Sequence, residues 1–433
     1  SPPSLPSSPQ GRPGAMATVA LASRRAWRID VVRCSAAFTG AAGGAPACAS
    51  GCGSSRPSRR FATVALSKER MKEFIRAELA YFAQQTPEPL RLDQIVRAST
   101  PAKVARLLHR ELPSRFAVRV AHIESLEGWT EHAELVRLRE IFAESFSQLR
   151  LAAPQLEGNP QAEDLAPYTE VIASLRARHM PVTALLGEAL RKMRREEAPE
   201  GEASIQAWTD TFFNSRISTE MLTKHYVAII QSPPGQASRK IGVVDTKCNP
   251  GQICQEAALE VMKSLAAESS HGDGAPQLQI NVFAKHCTHS GTDIEIPYIP
   301  QYLFYIVQEL LRNSARASLE ACRAAGLQEP EPITVTVCAD QKQVAIRISD
   351  KGGGVPFGNG DKIWSYQFST SKQPYEAYLD GESPLSGWGM GLPLGRLYAR
   401  YLGGSLELMH MPGIGVDTYL FLSRIPDLEP VSS

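Results

Sequence analysis

The sequence predicts an α + α/β protein, a helical N-terminal half followed by a layered α/β domain. From about Ser67 to His225 apolar residues recur every three or four positions, the period of a one-sided helix. After Ser232-Pro233-Pro234-Gly235 the period changes to two, with helical stretches between the alternating runs. The first sixty residues share neither pattern. They hold Arg12, Arg24, Arg25, Arg28, Arg33, Arg56, Arg59 and Arg60 against one acid, Asp30, in a background of Ala, Ser, Gly and Pro. That composition is expected of an organellar transit peptide, so residues 1–66 are set outside the fold as a leader.

In the helical half, Leu135, Leu138, Phe142, Phe146 and Leu149 mark one buried stripe. Leu165, Tyr168, Ile172, Leu175 and His179 mark the next. Pro181 interrupts it, and Val182, Leu185, Leu186 and Leu190 resume. Polar linkers with Pro and Gly are expected at Pro154–Gln161 and Glu196–Glu202. Long helices joined by short loops bury their stripes most simply as a bundle over residues 67–231. In the second half, Ile241–Val244, Leu278–Phe283, Ile333–Val337, Val344–Ile348, Ser405–Met409 and Thr418–Leu422 read as strands. Helices fall at about 251–267, 301–325 and 391–402. The expected domain runs over 236–425, followed by a tail at 426–433.

Bulk properties exclude several classes. A formal charge of +1 removes any global electrostatic reason to bind nucleic acid or anionic lipid. No apolar run reaches the ~18 residues of a membrane span. The eight cysteines are scattered without a CxxC pair, so reduced thiols are the expectation. A His286-Cys287-Thr288-His289 stretch is the nearest thing to a metal cluster, and an exposed polar loop is the simpler account of it.

Three motifs carry chemistry. On the helix from Pro300, Leu303, Ile306, Val307, Leu310 and Leu311 supply the core face, while Glu309, Asn313 and Arg316 form one polar stripe at i, i+4 and i+7. Asn offers a neutral oxygen to Mg²⁺ and Glu can accept the proton of an attacking hydroxyl; a solvated helix face gives the same spacing. Next, Arg347-Ile348-Ser349 leads into Asp350-Lys351-Gly352-Gly353-Gly354. Here a strand delivers a carboxylate able to accept an exocyclic amine, followed by glycines that admit a ligand to the backbone or simply form a turn. Finally, Ser386-Gly387-Trp388-Gly389-Met390-Gly391-Leu392 opens a helix whose free N–H groups and dipole suit phosphate. No GK[ST] follows, so this is not a Walker loop.

The order and spacing of Glu309–Asn313, Asp350-x-Gly352-x-Gly354 and Gly387-x-Gly389-x-Gly391 resemble the N, G1 and G2 boxes of the GHKL (Bergerat-type) α/β sandwich ATP-binding fold. Over about residues 68–424 the chain is similar to the mitochondrial pyruvate and branched-chain 2-oxo acid dehydrogenase kinases. Matching stretches include Glu309–Arg316, Asp350–Pro356, Phe368–Thr370, Gly391–Tyr401, Glu111–Pro113, Arg176–His179 and Ser215–Ser218. The resemblance implies a protein serine kinase of the mitochondrial matrix that uses ATP and Mg²⁺ and inactivates a decarboxylase component, pyruvate-type before branched-chain. It further implies a homodimer and a lipoyl-domain partner.

By the same resemblance, Glu309 is the general base, tuned by His179, and Asn313 holds the metal. Asp350 takes the adenine. Arg316, Gly352, Gly354, Ser369, Thr370, Gly387, Trp388, Gly389, Met390, Gly391 and Leu392 complete the ATP site, with residues 371–386 as a lid. Arg176, Arg216 and Ser145 correspond to a keto-acid pocket. Phe142 stands there in place of the pyruvate-type kinases' Tyr, and Glu220 in place of another Arg. The tail lacks their Asp-Trp pair, and Arg312 replaces the usual Lys. A histidine kinase, with His109-Arg-Glu as a degraded acceptor box, and a nucleotide-binding scaffold without transfer activity are the alternatives.

Overall fold

The structure, a computed structural model, describes residues 67–424 except 153, 155, 157, 197–201, 233–238, 270–277, 287–293, 341, 367 and 369–388. The expected leader (1–66) and tail (426–433), the lid at 371–386, and Ser369, Thr370, Gly387 and Trp388 therefore lie outside the described residues. So do Cys287, Thr288 and His289. Chain contacts separate residues 1–74 from 75–433, and of the first unit only the opening turns of one helix are described.

Among the described residues of the first half are seven α-helices: α1 (Lys68–Ala83), α2 (Leu92–Arg97), α3 (Pro101–Glu124), α4 (Ala133–Leu151), α5 (Ala166–Arg178), α6 (Val182–Glu196) and α7 (Glu202–Gln231). Thr100 starts α3 by accepting the Lys103 N–H at 3.4 Å, and Pro101 fills the first position, where no N–H is needed. Along α3, Val104, Leu108, Leu112, Phe116 and Val120 are fully buried, a face that packs on α4 and α7. The α4 stripe from Leu135 to Leu149 is buried throughout, as its spacing predicts. Each such side chain contributes roughly 1.5–3 kcal/mol by leaving water.

Polar groups inside the bundle are arranged as locks between helices. Trp208 Nε1–H donates to the His122 carbonyl at 2.9 Å, and the His122 ring returns a bond to the Trp208 carbonyl at 3.0 Å, with the two rings stacked at 4.8 Å. Because its acceptor is a carbonyl, His122 must carry its proton on Nε2. Burial pushes its pKa down, which keeps the ring neutral.

The second half comprises β1 (Lys240–Ile241), β2 (Val244–Cys248), α8 (Pro250–Ser269), β3 (Ile280–His286), β4 (Ile296–Tyr298), α9 (Pro300–Ala325), β5 (Ile333–Ala339), β6 (Gln343–Asp350), α10 (Gly391–Tyr401), β7 (Ser405–Met411) and β8 (Gly415–Ser423). Five strands form one sheet in the order β3-β5-β6-β8-β7; β3 and β5 are parallel and the other pairs antiparallel. A small sheet of β1-β2-β4 stands apart. On β6, Val344, Ile346, Ile348 and Asp350 are buried beneath the helices, and the alternate residues lie on the open face. α9 packs on β6 and α8, while α10 packs on α9 and β7. Gly326, with φ of 67°, ends α9 and lets the Leu327 N–H return to the Cys322 carbonyl at 3.0 Å. No described helix is long and apolar enough to cross a membrane.

Two strands depart from the sequence reading. The expected run Ile241–Val244 is a reversal, because Gly242 takes φ of 59° and divides it into β1 and β2. β4 spans only three residues, too few for alternation to register. The reversal at Gly242 serves His225 of α7. This fully buried ring accepts the Val243 N–H on Nδ1 at 3.4 Å and donates from Nε2 to the Ala98 carbonyl at 3.1 Å. A Cβ at Gly242 would overlap that ring. Gly242→Ala is therefore expected to lower unfolding free energy by about 2 kcal/mol or more, measured by urea titration. A surface control, Gly358→Ala, meets no atom within 4 Å and should cost far less.

Candidate active site

One cleft of about 340 Å³ draws on all three motifs, a volume within the range of small-ligand sites, whereas the Met390 side chain, also expected there, is fully buried in the apolar core. Its walls include Glu309, Asn313 and Arg316 of α9, Asp350, Gly352 and Gly354 after β6, and Gly389, Gly391 and Leu392 at the head of α10. Val416 and Thr418 of β8 close the floor. The helix period alone brings Glu309, Asn313 and Arg316 to one side, and the cleft lies there.

Asp350 ends β6 and is 4% exposed. Its Oδ1 accepts the N–H groups of Gly352 at 3.0 Å and Val416 at 3.3 Å, and its Oδ2 accepts the Ser314 hydroxyl at 2.7 Å. Burial raises its pKa, while these donors act in the opposite direction and stabilise the anion. The remaining lone pairs are available to a donor in the cleft. Gly352 is required because a Cβ would lie 2.5 Å from that of Ala317 on α9.

Glu309 is 6% exposed, and burial raises its pKa; the Arg312 guanidinium, 3.2 Å from Oε1, and Arg316 pull the other way. The result is a carboxylate more basic than one in water, with the neighbouring cations partly offsetting the effect of burial. Gly391 packs directly against its Oε2, and any side chain at 391 would displace it. Asn313 is exposed at the same mouth. α10 begins there just after Gly389, which takes φ of 67°, and the Gly391 and Leu392 N–H groups have no carbonyl within the helix to bond. A cleft with two buried carboxylates, an exposed amide and a helix N-terminus can seat a base, a divalent cation and phosphates at once.

His179 is not part of this cleft. It caps α5, with its ring edge-on to Phe116 and Phe142 at 5.2 and 5.0 Å. Ser145 gives its hydroxyl proton to the Ile141 carbonyl at 2.7 Å, so the 2.9 Å contact with His179 Nε2 is donated by the ring. Burial first, then the charges of Arg119, Arg216 and Arg178, push the His179 pKa down to about 2. Glu309 instead answers to Arg312 and Arg316. Helix packing holds the imidazole, neutral, inside the bundle, with Arg119, Arg216 and Arg178 as the charges that act on it.

Around His179 the structure brings together Ser145 and several arginines. Arg178 donates to Ser145 at 3.2 Å, and Arg216 lies 3.8 Å from Glu220. Burial would raise the Glu220 pKa, but Arg216, Lys224 and Arg176 outweigh it and hold the group below the usual range. Arg119, which sequence reasoning passed over, is the central cation. It is 1% exposed, sits 4.5 Å above the Phe142 ring and donates to Ser215 at 2.6 Å. The signal was an arginine among the apolar positions of α3. Ser314 and Val416 carried no such signal.

A family profile described as mitochondrial branched-chain alpha-ketoacid dehydrogenase kinase matches residues 78–245. One described as histidine kinase-, DNA gyrase B-, and HSP90-like ATPase matches residues 298–426. Among curated proteins, the mitochondrial [pyruvate dehydrogenase (acetyl-transferring)] kinase of Arabidopsis thaliana is 30% identical, over 75% of this chain and 85% of the plant protein. The protein of the same name from Drosophila melanogaster is 28% identical over 81% and 84%, and that of Schizosaccharomyces pombe 34% over 60% and 59%.

The electrostatic balance at Glu309 is directly measurable. In a ¹³C-carboxylate NMR titration, Arg312→Met should move the Glu309 midpoint to higher pH than in the parent chain, because the cation that lowers it is gone. An unchanged midpoint would show that Arg312 has no part in the balance.

Proposed function

We propose, from the premise that the chain belongs to the mitochondrial pyruvate dehydrogenase kinase family, that it transfers the γ-phosphate of ATP to a serine of a 2-oxo acid dehydrogenase decarboxylase component in the mitochondrial matrix, inactivating it. The pyruvate-type component is the preferred substrate. The observation that carries the reading is the convergence of buried Glu309, buried Asp350 and the start of α10 on one cleft.

Asp350 accepts the adenine amine, its anion held in register by Ser314, Gly352 and Val416. The Gly391 and Leu392 N–H groups meet phosphate oxygens, reinforced by the helix dipole. The Asn313 amide oxygen, exposed at the mouth, suits a Mg²⁺ ion, which when bound supplies charge neutralisation of the phosphates. Glu309 takes the serine proton as the oxygen attacks; Arg312, 3.2 Å from Oε1, favours its charged form. Gly391 leaves space for that carboxylate.

Residues 67–231 serve as the docking and regulatory domain and 236–425 as the kinase domain. Arg176, Arg216 and Ser145 form a small-acid pocket in which Glu220 already supplies a carboxylate beside Arg216, so a keto acid has to displace an internal rival. A homodimer is supported by Met409, Met411 and Ile414, exposed at 62, 47 and 51% on and beside edge strand β7. A lipoyl domain is the second partner.

The test is transfer of labelled γ-phosphate from Mg-ATP to purified pyruvate-type and branched-chain decarboxylase components. Serine labelling of one is expected, reduced about 10²–10⁴-fold in Glu309→Gln. Labelling of the branched-chain component alone would reassign the substrate, in line with the profile matching the bundle. Acid-labile label on the kinase itself would favour the histidine-kinase reading. ATP binding without transfer would leave a scaffold.

In the same assay Gly391→Ala should lower turnover about a hundredfold by displacing Glu309, while thermal unfolding changes little.

A further inference from the structure

Beyond the cleft itself, the loop that walls it is fastened to the helical half. After Gly354 the chain makes two short 3-10 turns, Phe357–Asn359 and Lys362–Trp364, and contributes Val355, Pro356, Asn359, Ile363 and Phe368 to the cleft. Between the last two lie Trp364 and Tyr366, and helix α7 grips both. The Gln206 amide donates from Nε2 to the Trp364 carbonyl at 2.9 Å, and its Oε1 accepts the Tyr366 N–H at 3.1 Å. A side-chain amide thus completes two backbone groups as a neighbouring strand would. One turn on, Asp210 Oδ1 accepts the Tyr366 hydroxyl at 2.6 Å. The Tyr366 ring is 7% exposed and packs on Phe213 of α7 at 5.5 Å. Arg396 of α10 lies over the Trp364 ring at 4.3 Å, tying the same loop to the helix that opens the phosphate end of the cleft.

We propose that Gln206 and Asp210 are positioning residues for nucleotide binding: α7 clamps residues 364–366 and thereby sets the cleft wall formed by Ile363 and Phe368. The inference rests on the reading of the cleft as an ATP site. It has a reciprocal consequence. If the clamp favours the binding-competent wall, nucleotide must favour the clamp by the same factor, so occupancy of the cleft is felt on α7. The clamp needs an amide at 206, because a carboxylate accepts from Tyr366 but cannot donate to Trp364.

The experiment compares the full chain with Gln206→Glu, Asp210→Ala, Tyr366→Phe and the Asp210→Ala/Tyr366→Phe pair. Mg-ATP and Mg-ADP binding are measured by calorimetry, KM and kcat by transfer. Each single variant is expected to raise the Kd and the KM for ATP about tenfold, with kcat changed far less. The double variant should be no weaker than either single one, since both remove one hydrogen bond. Hydrogen exchange across residues 203–213 should slow on adding Mg-ADP to the parent chain and not to Gln206→Glu. Tyr366→Phe deletes a single oxygen and keeps the comparison available should the others unfold. Parent-like Kd in folded variants, or additive losses in the pair, overturns the clamp alone. A parent chain that binds neither nucleotide overturns the ATP-site reading and the clamp with it.

Discussion

Asp350 and Glu309 are carboxylates set almost out of solvent, and each has to remain charged to be of use. Desolvation works against both, and the α/β half is arranged around answering it. Asp350 is answered by two backbone N–H groups and a hydroxyl from three separate elements, the loop after β6, strand β8 and helix α9. Glu309 is answered by arginines on its own helix. The first solution is rigid and holds the anion in one orientation, as recognition of a flat base requires. The second leaves the carboxylate basic and one turn from solvent, as proton transfer requires. The close glycines follow from the same demand. Gly352 admits α9 and Gly391 admits the Glu309 carboxylate, so the walls reach the charges with no side chain between.

Helix α7 has a comparable place between the halves. Its N-terminal turns hold Trp364 and Tyr366 beside the cleft, its middle carries Arg216 and Glu220, and His225 near its end joins the loop after α2 to the β1–β2 reversal. Thirty residues of regular helix thus give three distant polar joints a common frame. The charged middle sits between them, so a change in the Arg216–Glu220 pair has a physical route to the cleft wall through the one helix.

Much of this was legible in the sequence where the signal is local. The stripe at Leu135–Leu149, the N-terminus of α9 at Pro300 and the alternation on β5 and β6 follow from period and composition, and the structure agrees with them. The polar stripe Glu309, Asn313 and Arg316 is legible for the same reason. What escaped is what depends on partners far along the chain. Ser314 meets Asp350 across 36 residues, and Gln206 meets Tyr366 across 160. Neither spacing leaves a pattern in any window. His179 is legible for the opposite reason: it lies on an apolar stripe, and its packing against Phe116 and Phe142 is what that stripe predicts.

The strand order has a bearing on how the protein is made. β5 with β6, and β7 with β8, are local hairpins that can form early, the latter about Gly413 at φ of 81°. Joining them means pairing β6 with β8, where Asp350 meets Val416 across 66 residues of chain. That closure is among the slow, entropically costly contacts in the sheet. It is also the step that supplies the floor of the cleft and the Val416 donor to Asp350. The cleft is therefore complete only when this long-range seam is paired, and affinity for a ligand depends on a contact that no local segment of the chain can make by itself.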